Sequence, residues 1–235
     1  MMKIVFIRHA EPDYSIDSLT ERGWQEADIL ADRIAALKAD AYYCSPLGRA
    51  KDTAKESMRR LKREYTVLDR LEEFPARVKD PVTGEDRIPW NFLPSYWTEY
   101  DDLYDAEKWF DVPIMKESHV REAYDRICRG LDSLLLEYGY RREGRIYRTE
   151  KGSDKVIVIF CHMAMQLTAL AYLTGLPVLP LWQNFFVAPT GITVVATEER
   201  EKGIASFRCK MMGDISHLYS KDEPVSDSGF FNEVF

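Results

Sequence analysis

The chain has 235 residues, 46% apolar and 30% charged, with 32 basic against 39 acidic side chains for a net charge of −7. That length suits one soluble α/β domain, or a domain with an insertion, able to bury a core without staples. The acidic balance argues against a general nucleic-acid binder, since a phosphate backbone needs clustered cations; it leaves room for a local cationic pocket around a small phosphorylated molecule.

The elements follow in chain order. MetLysIleValPheIle at 2–7 is short, β-branched and aromatic, as a fully buried strand should be, and it runs into Arg8-His9. After a polar loop, Trp24, Ala27, Ala31, Ile34 and Leu37 recur at helical spacing and predict a helix over about 20–38. AlaTyrTyrCys at 41–44 predicts a short strand. Ser45-Pro46 then reads as an N-cap with proline at the first helical position. The helix that follows turns Ala50, Ala54, Met58 and Leu61 inward and places Arg49 in its first turn.

Residues 65–73 predict another strand, ending at Leu71-Glu72-Glu73. The stretch 74–116 holds five of the eleven prolines and a crowd of aromatics that includes Trp90, Phe92, Trp97 and Trp109. It reads as an insertion over the sheet edge, part loop and part short helix, whose aromatics form either a small satellite core or a ligand cage. A helix over about 117–138 follows, with Val120, Tyr124, Ile127, Leu131 and Leu134 inward, then an exposed loop or hairpin at 139–154.

LysValIleValIlePhe at 155–160 is a second buried-strand run and ends on Cys161-His162. A buried helix over about 164–174 leads to the segments 191–196 and 205–210, an antiparallel pair joined through the charged turn 198–203. The apolar window Met163 to Leu181 is interrupted by Gln166, Thr168, Gly175, Pro177 and Pro180, so a buried helix and a loop are expected there and not a membrane span. The acidic tail from Lys221 carries Phe230, Phe231 and Phe235, expected to dock on the body or on a neighbour. Alternating strands and helices predict a mostly parallel central sheet flanked by helices, in a single domain 1–235 with the aromatic insertion at 74–116. The four widely spaced cysteines, without CxxC spacing, and the lack of a secretory signal point to a reduced, cytoplasmic protein.

Two strands 153 positions apart thus each end on a histidine. Ligands of open parallel sheets sit beyond the carboxyl ends of strands, which makes His9 and His162 one composite site. A histidine with one unprotonated ring nitrogen can attack phosphorus. Arg8 and Arg49 offer planar forks for phosphoryl oxygens. A cationic His162 would add charge where it gathers in transfer, and Glu72 or Glu73 could protonate the leaving alkoxide. The set needs no metal. Taken alone, each has a structural alternative: a capped strand end for either histidine, an ion pair with Asp52 for Arg49, a solvated edge for the two glutamates. His119, inside a helix, reads as structural.

Together these residues resemble the histidine phosphatase superfamily, also called the phosphoglycerate mutase-like family. Arg8-His9-Ala10-Glu11 stands for its RHG(E) motif, Leu19-Thr20-Glu21-Arg22-Gly23 for LTxxG, and Ser45-Pro46-Leu47-Gly48-Arg49-Ala50 with Thr53-Ala54 for SPLxRAxxTA. Leu71-Glu72-Glu73 resembles LxE, and Cys161-His162-Met163 takes the place of GHG. The resemblance runs from residue 3 to about 218. It implies a phosphoglycerate mutase-like fold, phosphorylation of His9, and phosphoryl binding by Arg8, Arg49 and His162. It favours Glu73 over Glu72 as proton donor, and it implies no cofactor.

Three positions depart from the family pattern. Ala10 replaces glycine, Met163 is bulkier than the usual glycine, and Ser15 stands where an asparagine helps bind phosphate, a contact expected to be either lost or supplied by Thr20. His217 is similar to a late histidine of many members.

A phosphatase acting on a small phosphate monoester is the favoured reading. A mutase would carry a basic, proline-paired cap, whereas this one is aromatic and acidic; a weakly active phospho-ligand-binding regulator is the third reading. The expected partner is a small phosphorylated substrate, with neither nucleic acid nor membrane. Oligomeric state is left open. A cysteine phosphatase is excluded, because the residue six places after Cys161 is Leu167 and not arginine.

Overall fold

The computed structural model describes residues 1–232. In chain order the elements are β1 (Lys3–Arg8), β2 (Pro12–Asp13), β3 (Ser18–Leu19), α1 (Glu21–Ala35), β4 (Ala41–Cys44), α2 (Gly48–Leu61) and β5 (Thr66–Val67). The hairpin β6 (Val78–Lys79) and β7 (Asp86–Arg87) follows, with the short helices α3 (Pro94–Trp97) and α4 (Pro113–Lys116) and then the long α5 (Val120–Glu137). The chain continues through β8 (Arg141–Glu143), β9 (Ile146–Arg148), β10 (Val156–Cys161), α6 (Met163–Thr174), α7 (Val178–Asn184), β11 (Ile192–Glu201), β12 (Ile204–Asp214) and α8 (Ser216–Tyr219).

One sheet of order β5-β4-β10-β1-β11-β12-β9-β8 organises the chain. Its first four strands are parallel, and β11, β12, β9 and β8 continue it antiparallel. The sheet is therefore mixed, parallel only in the half that carries the histidines. The antiparallel pair at 192–214 was legible as a hairpin; its docking beside β1 extends the sheet by a route that needs no crossover helix.

Alternation along β1 and β10 feeds two cores. Val5, Ile7, Val158 and Phe160 pack with Leu30 and Ile34 of α1 and Ala54 and Met58 of α2. Ile4, Phe6, Ile157 and Ile159 face the other way, against Ile127, Leu131 and Leu134 of α5 and the almost wholly buried α6. Both strands are buried on both faces, which is why they read as continuous apolar runs.

Three local expectations are corrected. Ser45 is not an N-cap: α2 starts at Gly48, three residues later, with Leu47 at the cap position. The strand foreseen over 65–73 shrinks to Thr66–Val67, followed by a 3₁₀ turn at Asp69–Leu71. The aromatic stretch forms no separate core, since Phe74, Trp90, Phe92, Leu103 and Trp109 join the main cluster, where Phe74, Trp90 and Trp109 all meet Trp182. Among the described residues no helix is long and apolar enough to cross a membrane.

Candidate active site

Parallel register builds the site. Arg8 pairs with Cys161 and Phe160 with Cys44, so the next residues of the three strands, His9, His162 and Ser45, emerge in a row at the carboxyl edge. Backbone bonds lock the row: His9 N–H donates to the Cys161 carbonyl at 3.0 Å and Ser45 N–H to that of Phe160 at 2.9 Å. The two imidazoles lie with centroids 5.1 Å apart and planes tilted by 56°.

His9 is buried, and its Nδ1 sits 2.8 Å from the Ala10 carbonyl. A carbonyl only accepts, so Nδ1 carries the ring proton and Nε2 keeps its lone pair. Burial first, then the charges of Arg8 and Arg49, hold the His9 pKa well below its ordinary value. The free site therefore presents a neutral imidazole.

His162 is wholly buried behind that ring. Its Nε2 lies 2.7 Å from Ser45 Oγ, which also accepts the Leu47 N–H at 3.3 Å. With the hydroxyl proton turned to Nε2, the ring proton falls on Nδ1, a buried atom with no partner among the described residues. Burial, His9, Arg49 and Arg8 all lower the His162 pKa well below the usual histidine value. Burial above all, and then the neighbouring ring and guanidiniums, thus disfavours the expected cationic form in the free protein.

Arg8, on the last position of β1, is 2% exposed. Its Nη1 donates to the Val187 carbonyl and its Nη2 to the Ser228 carbonyl, each at 2.6 Å. The C-terminal tail is therefore part of the site. Gly229 adopts φ +85°, and a Cβ there would be strained and would stand 2.8 Å from Arg8 Nη2, displacing that guanidinium. Phe186 stacks under the guanidinium at 5.5 Å and meets Phe230 edge-on. Ser226 and Thr20 hydroxyls both bond the Glu11 carboxylate, which anchors the tail to the first loop.

Arg49, in the first turn of α2, is steered by the β2–β3 hairpin. Asp17 Oδ1 accepts from its Nη1 at 2.6 Å, and Asp17 Oδ2 takes the Gly48 N–H at 2.7 Å. Tyr14 lies under its guanidinium at 5.4 Å. Gly48 permits this, since a Cβ would fall 2.0 Å from the Asp17 carbonyl.

The two adjacent glutamates diverge. Glu72 pairs with Arg126 on α5. Glu73 turns inward, and its Oε1 accepts the N–H groups of Phe74 and Met165, each at 2.9 Å. Both glutamates follow the 3₁₀ turn, with Glu72 already in extended backbone. Burial raises the Glu73 pKa, against the pull of those N–H groups and of Arg49 and Arg8.

A cavity of about 560 Å³ opens beside these groups, lined by Arg8, His9, Arg49, Glu73 and, at its mouth, Tyr14 and Arg77. Three guanidiniums against one carboxyl give it a cationic character that the acidic chain average conceals. Phe74, Ile88, Trp90, Met163, Phe230 and Phe231 complete its apolar side. His162 is not in the lining; it touches the cavity only through His9.

Thr20 is corrected. Its hydroxyl accepts the Gly23 N–H at the start of α1 and donates to Glu11, which makes it an N-cap outside the cavity lining. His217 is also elsewhere, buried with Nε2 3.0 Å from Thr190 Oγ and its pKa lowered to about 4 by burial. Ser15 bonds Asp13 at the hairpin, and His119 is exposed beside Glu122. The sequence reading missed Asp17, Arg77, Ser228 and Gly229, and it took Ser45 for an N-cap where its hydroxyl meets His162. Of these, only the Ser45 position carried a motif.

A model of the histidine phosphatase superfamily (branch 1) matches residues 4–210. The chain belongs to this superfamily. The histidine phosphatase match ends before the tail that clasps Arg8, so that contact lies outside the shared pattern. Comparison with curated proteins finds no match. Among solved structures, the chain is similar to a phosphoserine phosphatase mutant from Entamoeba histolytica in complex with phosphoserine, at 20% identity and TM-score 0.62, covering 93% of this chain and 100% of that one. It is likewise similar to a mycobacterial glucosyl-3-phosphoglycerate phosphatase, at 18% identity and TM-score 0.61, covering 90% and 98%. These likenesses establish the histidine phosphatase fold.

One buried acid beneath the site makes a stability prediction. Glu26 is fully buried, accepts the Glu11 N–H at 2.8 Å, and has its pKa raised to about 7, chiefly by burial. Folding therefore takes up a proton between the unfolded value of 4.5 and about 7. Glu26 favours the fold at low pH and weakens it as pH rises, by about 3 kcal/mol at most. Denaturant melts at about pH 5 and about pH 8 should show wild type losing stability relative to Glu26→Gln at the higher pH. A constant difference would contradict this.

Proposed function

We propose that this chain is a metal-independent phosphatase that hydrolyses a small phosphate monoester through a phosphohistidine at His9. The observation that carries the reading is a neutral His9, its Nδ1 proton held by a carbonyl, lining a cavity with Arg8, Arg49 and Arg77.

The ester's phosphoryl group enters between the arginine forks. His162, outside the lining and packed against His9 with ring centroids 5.1 Å apart, backs the His9 ring as it turns to phosphorus. His9 Nε2 attacks phosphorus as the P–O bond to the leaving group breaks. Glu73, whose raised pKa favours the protonated form, gives its proton to the departing oxygen. Water then attacks the phosphohistidine and returns a proton to Glu73; the N–P bond breaks and inorganic phosphate leaves.

Residues 74–116 act as the cap of this site, on the support that Phe74, Pro75, Ala76, Arg77, Ile88 and Trp90 all line the cavity. Four free cysteines, three of them buried, support a reducing compartment such as the cytoplasm.

The test is phosphate release from an aryl phosphate by purified protein. It should proceed catalytically and be unaffected by chelators. Faster phosphoryl transfer from a bisphosphorylated glycerate to 3-phosphoglycerate than to water would overturn the reading in favour of a mutase. Strong loss on chelation would overturn it in favour of a metal mechanism.

A further inference from the structure

A second cavity, about 600 Å³, lies against the first and shares a wall with it: Trp90, Met163, Gly229, Phe230 and Phe231 line both. Its chemistry is opposite. Among the described residues its lining holds no Asp, Glu, Lys, Arg or His. Trp97, Trp182, Phe185 and Phe186 supply ring surfaces, and Asn91, Gln183 and Asn184 supply amides. Gln183 and Asn184 spend N–H groups on the Pro89 and Pro180 carbonyls, at 2.9 and 3.0 Å. They therefore present uncharged polarity to the space.

We propose that this cavity is the leaving-group subsite, and that it takes an uncharged aromatic group larger than one ring from a phosphate monoester. The proposal rests on the phosphatase reading above and adds the substrate's chemical class. Three features lead to it. The shared wall places the second cavity next to the one that His9 lines, within reach of the rest of an ester whose phosphoryl group sits at His9. An ammonium on the leaving group would find no counter-charge in this lining, and a carboxylate would find only Arg8 behind Phe186, already bonded to two carbonyls, so the desolvation of either is poorly repaid. Aromatic rings against a flat ring ligand add stacking to plain burial.

The tail supplies part of the wall. Gly229 passes close to Arg8, and Phe230 and Phe231 follow it, so three of the five shared wall residues come from beyond the segment 4–210 that matches the family. This subsite separates the chain from phosphatases whose esters carry an acid or an amino acid.

Phenyl and 2-naphthyl phosphate test it, because their leaving groups are of similar acidity and differ in reach. Wild type should show a kcat/KM about tenfold higher for the naphthyl ester, held in KM, as expected for burying one more ring. A carboxylate on the distal naphthyl ring should remove that gain. Trp97→Ala touches the second cavity alone and should lower kcat/KM for the naphthyl ester about tenfold more than for phenyl phosphate, erasing the naphthyl advantage. Asn184→Lys, at an exposed position, should restore the carboxylated ester by threefold or more. Equal kcat/KM for the two esters, or a Trp97→Ala effect equal on both, would overturn the subsite.

Titration calorimetry with both esters on the His9→Ala variant separates this from the parent reading. If no ester is hydrolysed by wild type yet the naphthyl ester binds about tenfold tighter, the phosphatase reading fails and the subsite stands. If hydrolysis is fast and the two bind alike, the reverse holds.

Discussion

Replacing His9 by alanine is expected to lower kcat by about 10⁴-fold or more, because it removes the atom that accepts phosphorus and leaves the rest of the cradle idle. The fold should tolerate the change, since the strand register and the His9 N–H bond to Cys161 are backbone features. Phosphate should still bind through Arg8 and Arg49. The measurement is steady-state release of phosphate beside calorimetric binding of inorganic phosphate. Lost turnover with retained binding is the expected pair of results; turnover within about tenfold of wild type would mean that water attacks phosphorus directly.

Glu73→Gln should be the second largest loss, about 10²- to 10⁴-fold for esters with poor leaving groups and much less for a nitrophenyl ester that departs without a proton. The carboxamide keeps an oxygen for the N–H groups of Phe74 and Met165, so the start of α6 should hold. The pH profile gives a second readout. A neutral His9 is required, and its depressed pKa moves the acid limb of kcat/KM below the usual histidine range. A protonated Glu73 is required too, and activity falls as pH rises through its raised pKa. The optimum should therefore lie on the acid side, and Glu73→Gln should flatten the alkaline limb alone. Glu72→Gln should do neither, since that side chain pairs with Arg126.

What could be read from the chain, and what could not, divides along physical lines. His9 and His162 were legible because a strand buried on both faces is a continuous apolar run, and its end marks the carboxyl edge of the sheet. Arg49 was legible from its place in the first turn of a helix after a short strand. The choice between Glu72 and Glu73 was not, on residues alone. Adjacent residues of extended chain point to opposite sides, so the pattern does not say which one faces the site; the packing turns Glu73 to Met165 and Glu72 to Arg126.

Ser45 misled because Ser-Pro fits a helix start equally well; its hydroxyl is taken by His162, 117 positions away. Thr20 misled in the opposite direction, being an ordinary N-cap in a motif that implied phosphate. The Ser228 contact was beyond reach, since a backbone carbonyl bonding Arg8 across 220 positions leaves no residue code. The tail phenylalanines were expected on the body or a neighbour: Phe230 meets Phe186 and, with Phe231, lines both cavities, while Phe235 lies outside the described residues.

The central claim is that His9 Nε2 forms a bond to phosphorus. Rapid quench into alkali during turnover of a ³²P-labelled ester, followed by peptide mapping, tests it most directly. The account predicts a label that survives alkali, is lost in acid, and maps to the peptide holding Arg8-His9-Ala10. Label on any other residue, or none during demonstrable turnover of a substrate with rate-limiting dephosphorylation, would contradict it.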